Sequence, residues 1–121
     1  MIRAHPASKV KHAQKWLDLH VNDPDFFFHA RWLKASKTES NFNDVAFERL
    51  WGMCQEDVEN ADVVLVYAEK GDVLKGAFVE VGMALAYGVK VVEIGCEGSW
   101  VNHEGVTRFE TLEEALDSLR S

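Results

Sequence analysis

The stretch "ADVVLVYAEKGDVLKGAFVEVGMALAYGVKVVEIG", residues 61–95, decides the fold. It opens on "ADVVLVYA", 61–68, a continuous β-branched run without polar alternation. A strand of that kind is covered on both faces, which is the condition of a parallel sheet. "EKGD" is a connection, 73–87 reads as a helix, Gly88 stops it, and "KVVEIG" is a second buried strand. Between Gly76 and Tyr87 every residue is apolar or small except Glu80. An acid there is either a partly exposed helix charge favoured by the helix dipole or a carboxylate kept for its chemistry.

The same alternation extends in both directions. Ile2 to His5 predicts a short first strand that Pro6 breaks, and Ser8 is placed to cap a helix carrying Val10, Ala13, Leu17 and Val21. "NDPD" ends that helix. "FFFHARWL", 26–33, predicts a buried strand, followed by the polar loop "KASKTESNFN", 34–43. Asn43 is placed to cap a helix from Asp44 to Asn60, in which Ala46, Leu50, Met53, Cys54 and Val58 keep helical spacing. Beyond the central stretch, 96–105 is a loop, "VTRF" a last short strand and "TLEEALDSLRS" a terminal helix with Thr111 and Glu114 in capping-box spacing. Strands and helices in this order give an α/β sandwich around a mainly parallel sheet of four to five strands, in one domain spanning 1–121. Ligands of such sheets bind at the carboxyl ends of the strands, so the segments 6–9, 32–43, 67–76 and 95–105 are where a site is expected.

Composition narrows the function classes. A hydrophobic content of 47% with 27% charged residues describes a packed globule rather than a disordered chain. The net charge of −7 leaves no basic stripe, which weighs against long nucleic acids and leaves a single nucleoside or nucleotide open. No uncharged run is long enough to span a bilayer, and residues 1–8 lack the apolar core of a signal peptide, so a cytoplasmic protein is expected. Cys54 and Cys96 stand outside any CxxC or Cys/His pattern, and no metal or other cofactor is implied.

The residues that can carry chemistry cluster around the central helix. Glu69 and Asp72 precede it, so three carboxylates with Glu80 converge on one loop and its first helical turns. Paired acids suit glycosyl chemistry, although Asp72 equally suits a helix cap and Glu69 a solvated loop charge. Gly76, with Ala77, Met83 and Ala84, gives Glu80 small neighbours that let a ligand approach. Ser8 and Lys9 follow the first strand in an anion-binding position or a simple cap. Trp32 and Trp51 are either core or platforms for a base. Of five histidines, His5 alone sits at a strand end worth watching. The helix is apolar through Phe78, Val81, Met83, Leu85 and Tyr87, more than one sheet face can cover, which predicts at least a homodimer.

The central stretch resembles the nucleoside 2-deoxyribosyltransferase superfamily. Its signature, a strand opened by Ala-Asp and then Gly-x-x-x-Glu-x-Gly-x-Ala-x-x-x-Gly-Lys before an apolar strand, is matched by Gly76, Glu80, Gly82, Ala84, Gly88 and, one residue late, Lys90. "AHPASK", "ARWL" and "FERLW" are similar to small, phage-type and nucleotide N-glycosidase-like members, and residues 57–92 carry most of the likeness. The resemblance implies a flavodoxin-like, Rossmann-like three-layer sandwich, a homodimer or larger oligomer, and Glu80 as a nucleophile. Glu80 would attack C1′ of a deoxyribose in a nucleoside or its monophosphate, by transfer or hydrolysis. The alternative is a nucleotide-binding or sensing module that has kept the fold without the reaction. Two positions depart from the pattern. Cys54 stands eight residues before Asp62, and Leu74 six before Glu80, where the transferases carry assisting Asp residues. Asp72 is the nearest substitute and Asp57 reads as structural.

Overall fold

A computed structural model describes residues 1–35 and 44–121. Five strands, β1 Ile2–Ala7, β2 Phe26–Phe28, β3 Val63–Tyr67, β4 Lys90–Ile94 and β5 Val106–Phe109, form one parallel sheet in the order β2-β1-β3-β4-β5. The helices are α1 Ala13–Asn22, α2 Trp32–Ala35, α3 Asp44–Glu59, α4 Gly76–Tyr87 and α5 Leu112–Arg120. That strand order is the flavodoxin-like one, and its switch point lies between β1 and β3.

β3 shows why the apolar run becomes a central strand. Val63, Leu65 and Tyr67 pack on the face covered by α1 and α5, with Trp16, Leu112 and Leu116. Val64 and Val66 pack on the opposite face with Val58 of α3 and Ala77, Val81 and Ala84 of α4. Each buried Val or Leu contributes about 1.5–3 kcal/mol, so an alternating polar residue here would be expelled from one layer or the other. Asp62 sets the register: its carboxylate accepts from Arg3 N at 2.8 Å, and its own N–H donates to Arg3 O at 2.8 Å. α4 ends at Gly88, whose φ of 74° lets its N–H return to Ala84 and Leu85 carbonyls. Thr111 caps α5 by accepting from Glu114 N at 3.2 Å. Among the described residues, no helix is long and apolar enough to cross a membrane.

Several local expectations are corrected. Pro6 does not break β1, which runs to Ala7. Successive residues of a parallel strand present their polar groups to opposite neighbours, and Pro6 faces the side on which β2 has already ended. Its missing N–H costs no ladder bond, and its carbonyl accepts Trp32 Nε1 at 2.9 Å. Ser8 caps no helix: a 3-10 turn at Val10–His12 intervenes before α1, and the Ser8 hydroxyl accepts Trp16 Nε1 at 2.9 Å and donates to Lys9 O. α1 buries Ala13 and Trp16, while Val10 and Val21 are exposed. The strand expected over 26–33 stops at Phe28. There the Arg31 N–H and guanidinium both donate to buried Asp57, turning the chain into α2. α4 starts at Gly76 rather than 73, without a side-chain cap. Asn43 and most of the polar loop lie outside the described residues.

Candidate active site

Strand alternation sends Ala4 to the α1 face of the sheet and His5 to the α4 face. His5 is fully buried there, and its Nε2 lies 2.9 Å from Glu80 Oε1. Glu80 sits in the second turn of α4 and is only 6% exposed. The acid that stood out in the apolar helix is thus a buried carboxylate with a histidine partner. A buried charge without such a partner would be strongly disfavoured.

Glu80 lines a cavity of about 280 Å³ at the carboxyl edge of the sheet, between the chain after β1, the start of α4 and one face of α3. Ser8, Lys9, Trp32, Trp51 and Gly76 line the same cavity, so six of the eight residues singled out in the sequence come together. The two tryptophans differ in role. Trp32 is 7% exposed and anchored to the Pro6 carbonyl, whereas Trp51 is 38% exposed and rests its ring against Gly76. Trp51 therefore has the open aromatic face.

Glu69 and Asp72 lie elsewhere, in a neighbouring cavity of about 340 Å³. Asp72 neither caps α4 nor meets Glu80. Its oxygens lie 2.7 Å from Lys11 Nζ and 2.8 Å from His12 Nε2, and it accepts the Glu69 N–H at 2.9 Å. The hydrogen-bonded Lys11 ammonium, then the Glu69 amide and His12, hold its carboxyl well below the usual carboxylate range. Tyr67 donates its hydroxyl to Glu69, which is likewise lowered, first by that bond. Together these groups tie the loop before α4 to the turn before α1. Asp57 holds Arg31 and acts in the fold.

Seven lining residues were not picked out as site residues, and four of them shape the character of the cavity. Cys54 faces the cavity with its thiol pushed up to about 12, first by burial and then by the Glu80 carboxylate, so it stays a neutral group. Lys75 lines the cavity together with Lys9. Phe47 and Leu50 extend the apolar side. The spacing of Phe47 and Trp51, four residues apart in α3, places them on one helix face and was the available signal. Among the described residues, no group of three or more His, Cys, Asp and Glu is arranged to hold a metal.

No protein-family model matches the chain. No curated protein matches it in sequence. Among solved structures it is similar to the Clostridium botulinum CMP N-glycosidase BcmB, with 13% identity and a TM-score of 0.60 over 98% of this chain and 99% of that one. At that identity the likeness is one of fold, and it spans the full three-layer sandwich of both chains.

Proposed function

We propose that this chain cleaves or transfers the N-glycosidic bond of a nucleoside, a deoxynucleoside or a corresponding monophosphate, in the cytoplasm, with Glu80 as nucleophile. The observation that carries this reading is the buried Glu80 carboxylate, held by His5 at 2.9 Å and lining an aromatic-walled cavity at the carboxyl edge of the sheet. The fold shared with a CMP N-glycosidase supports it. In this mechanism a Glu80 oxygen bonds to C1′ as the C1′–N bond breaks, and the electron pair departs with the base, which takes a proton from solvent. Water, or an incoming base in transfer, then attacks C1′ and restores the carboxylate. In this reading Lys9 and Lys75, which line the same cavity, meet a 5′-phosphate or the departing base. The exposed Phe78, Val79 and Tyr87 of α4 support a homodimer within the same reading.

The test is Glu80→Gln against a panel of nucleosides and monophosphates, with and without acceptor bases, followed as free base by chromatography. The amide keeps the shape but forms no glycosyl ester, so release should fall by several powers of ten while the fold survives. Base release by Glu80→Gln at the wild-type rate refutes the assignment. A non-catalytic binding module is the second reading, favoured by one observation: Glu80 is the single carboxylate lining this cavity among the described residues. Binding without base release from any substrate would select it.

A further inference from the structure

His5 is a buried titratable residue to which the reaction above assigns no step. Its Nε2 faces Glu80 Oε1, but its Nδ1 is buried with no hydrogen-bond partner among the described residues. That asymmetry decides where the proton sits. A proton on Nδ1 would be a buried N–H without an acceptor, a costly arrangement, whereas an unprotonated Nδ1 forgoes only a lone-pair contact. With the proton on Nε2, His5 donates to the carboxylate and Nδ1 carries none. The imidazole is rigidly placed as well: it comes from a central strand, is fully buried, and meets α4 across the sheet face.

We propose that His5 is a positioning residue that, as the neutral Nε2–H tautomer, fixes Glu80 through Oε1, leaves Oε2 to attack, and speeds the breakdown of the glycosyl ester. The inference rests on the proposed glycosidic reaction. The donor binds the carboxylate more strongly than the ester, because the carboxylate holds the full negative charge. When water attacks C1′, the C1′–Oε2 bond breaks, its electron pair returns to Glu80 and the water proton passes to solvent. The Nε2–H···Oε1 bond strengthens as that charge returns, so His5 favours the second half-reaction over the first. Its own proton stays on Nε2 throughout.

Two measurements test this. Long-range 1H–15N spectra of the ligand-free protein distinguish the two neutral tautomers from the imidazolium. The Nε2–H form is expected, and an Nδ1–H form or an imidazolium at neutral pH overturns the proposal whether or not the protein is an enzyme. The kinetic arm uses the fastest substrate among the common nucleosides, deoxynucleosides and their monophosphates. Rapid acid quench and mass spectrometry then give the fraction of Glu80-containing peptide carrying one sugar. His5→Leu removes the donor, and the ratio of ester breakdown to ester formation should fall roughly tenfold or more, so the sugar adduct accumulates. His5→Gln places an amide N–H near the Nε2 position and should restore a ratio close to wild type. A slower His5→Leu with an unchanged ratio would mean that His5 only supports the fold, and would refute the proposal. A folded wild type that releases no base refutes the reaction instead, and the spectra then decide the His5 arrangement alone.

Discussion

Exchanging Trp32 and Trp51 for Leu, one at a time, separates the two tryptophans that the sequence left equivalent. A buried Trp removes on the order of 150–250 Å² from water, worth about 4–6 kcal/mol, of which a Leu side chain recovers roughly half. Trp32, 7% exposed, should lose that remaining half. It also leaves the Pro6 carbonyl without its 2.9 Å donor, a further loss of about 1–3 kcal/mol. Trp32→Leu is therefore expected to cost about 3–6 kcal/mol and to lower Tm by roughly 12–24 °C. Trp51, 38% exposed, buries less and donates no comparable bond among the described residues, so Trp51→Leu should cost about 1 kcal/mol of stability. Its effect belongs to ligand binding instead, because base stacking contributes about 1–3 kcal/mol, and its loss weakens binding by roughly five- to a hundredfold. Urea unfolding and nucleotide titration of both variants read the two quantities separately. A Trp51→Leu protein with an unchanged titration curve, or a Trp32→Leu protein as stable as wild type, refutes the assignment of anchor and platform.

Two further outcomes are expected. Asp72 has a folded-state pKa depressed by Lys11, the Glu69 amide and His12, so its contribution is full above the ordinary carboxylate value of about 4 and is lost as pH falls through the lower folded value. The gap in urea midpoint between wild type and Asp72→Asn should accordingly shrink on acidification below about pH 4, and a constant gap would exclude the linkage. In light scattering at micromolar concentration the proposed dimer should give twice 13.7 kDa, and a mass of 13.7 kDa would reject it.

The sequence was most legible where one residue type does one job. The β-branched run of β3 has a single physical solution, and Gly88, Thr111 and the helical spacing of α3 mark their elements by local chemistry alone. It misled where a distant partner decides. Pro6 is harmless because β2 ends early, and β2 ends early because Asp57, on α3, takes the Arg31 N–H and guanidinium. The site followed the same division. Residues at loop positions after β1 and before α4 were placed by the general rule for parallel sheets, and they meet in one cavity. The pairing of His5 with Glu80, 75 positions apart in the chain, is a product of strand order and has no local signal. Asp72 was misplaced for the converse reason: its closeness to Glu80 in sequence says nothing of Lys11 and His12, which claim it from the other side of the loop.

Among the described residues, Leu74 is the one that lines both cavities. One aliphatic side chain, 7% exposed, is therefore a partition between a compartment lined by one carboxylate and a compartment lined by Glu69, Asp72 and Glu97. The acid–base repertoire open to a guest beside Glu80 is set by a group with no polar atom of its own. A leaner side chain at this position would fuse the two spaces and turn a one-carboxylate room into one with four, without touching any charged residue.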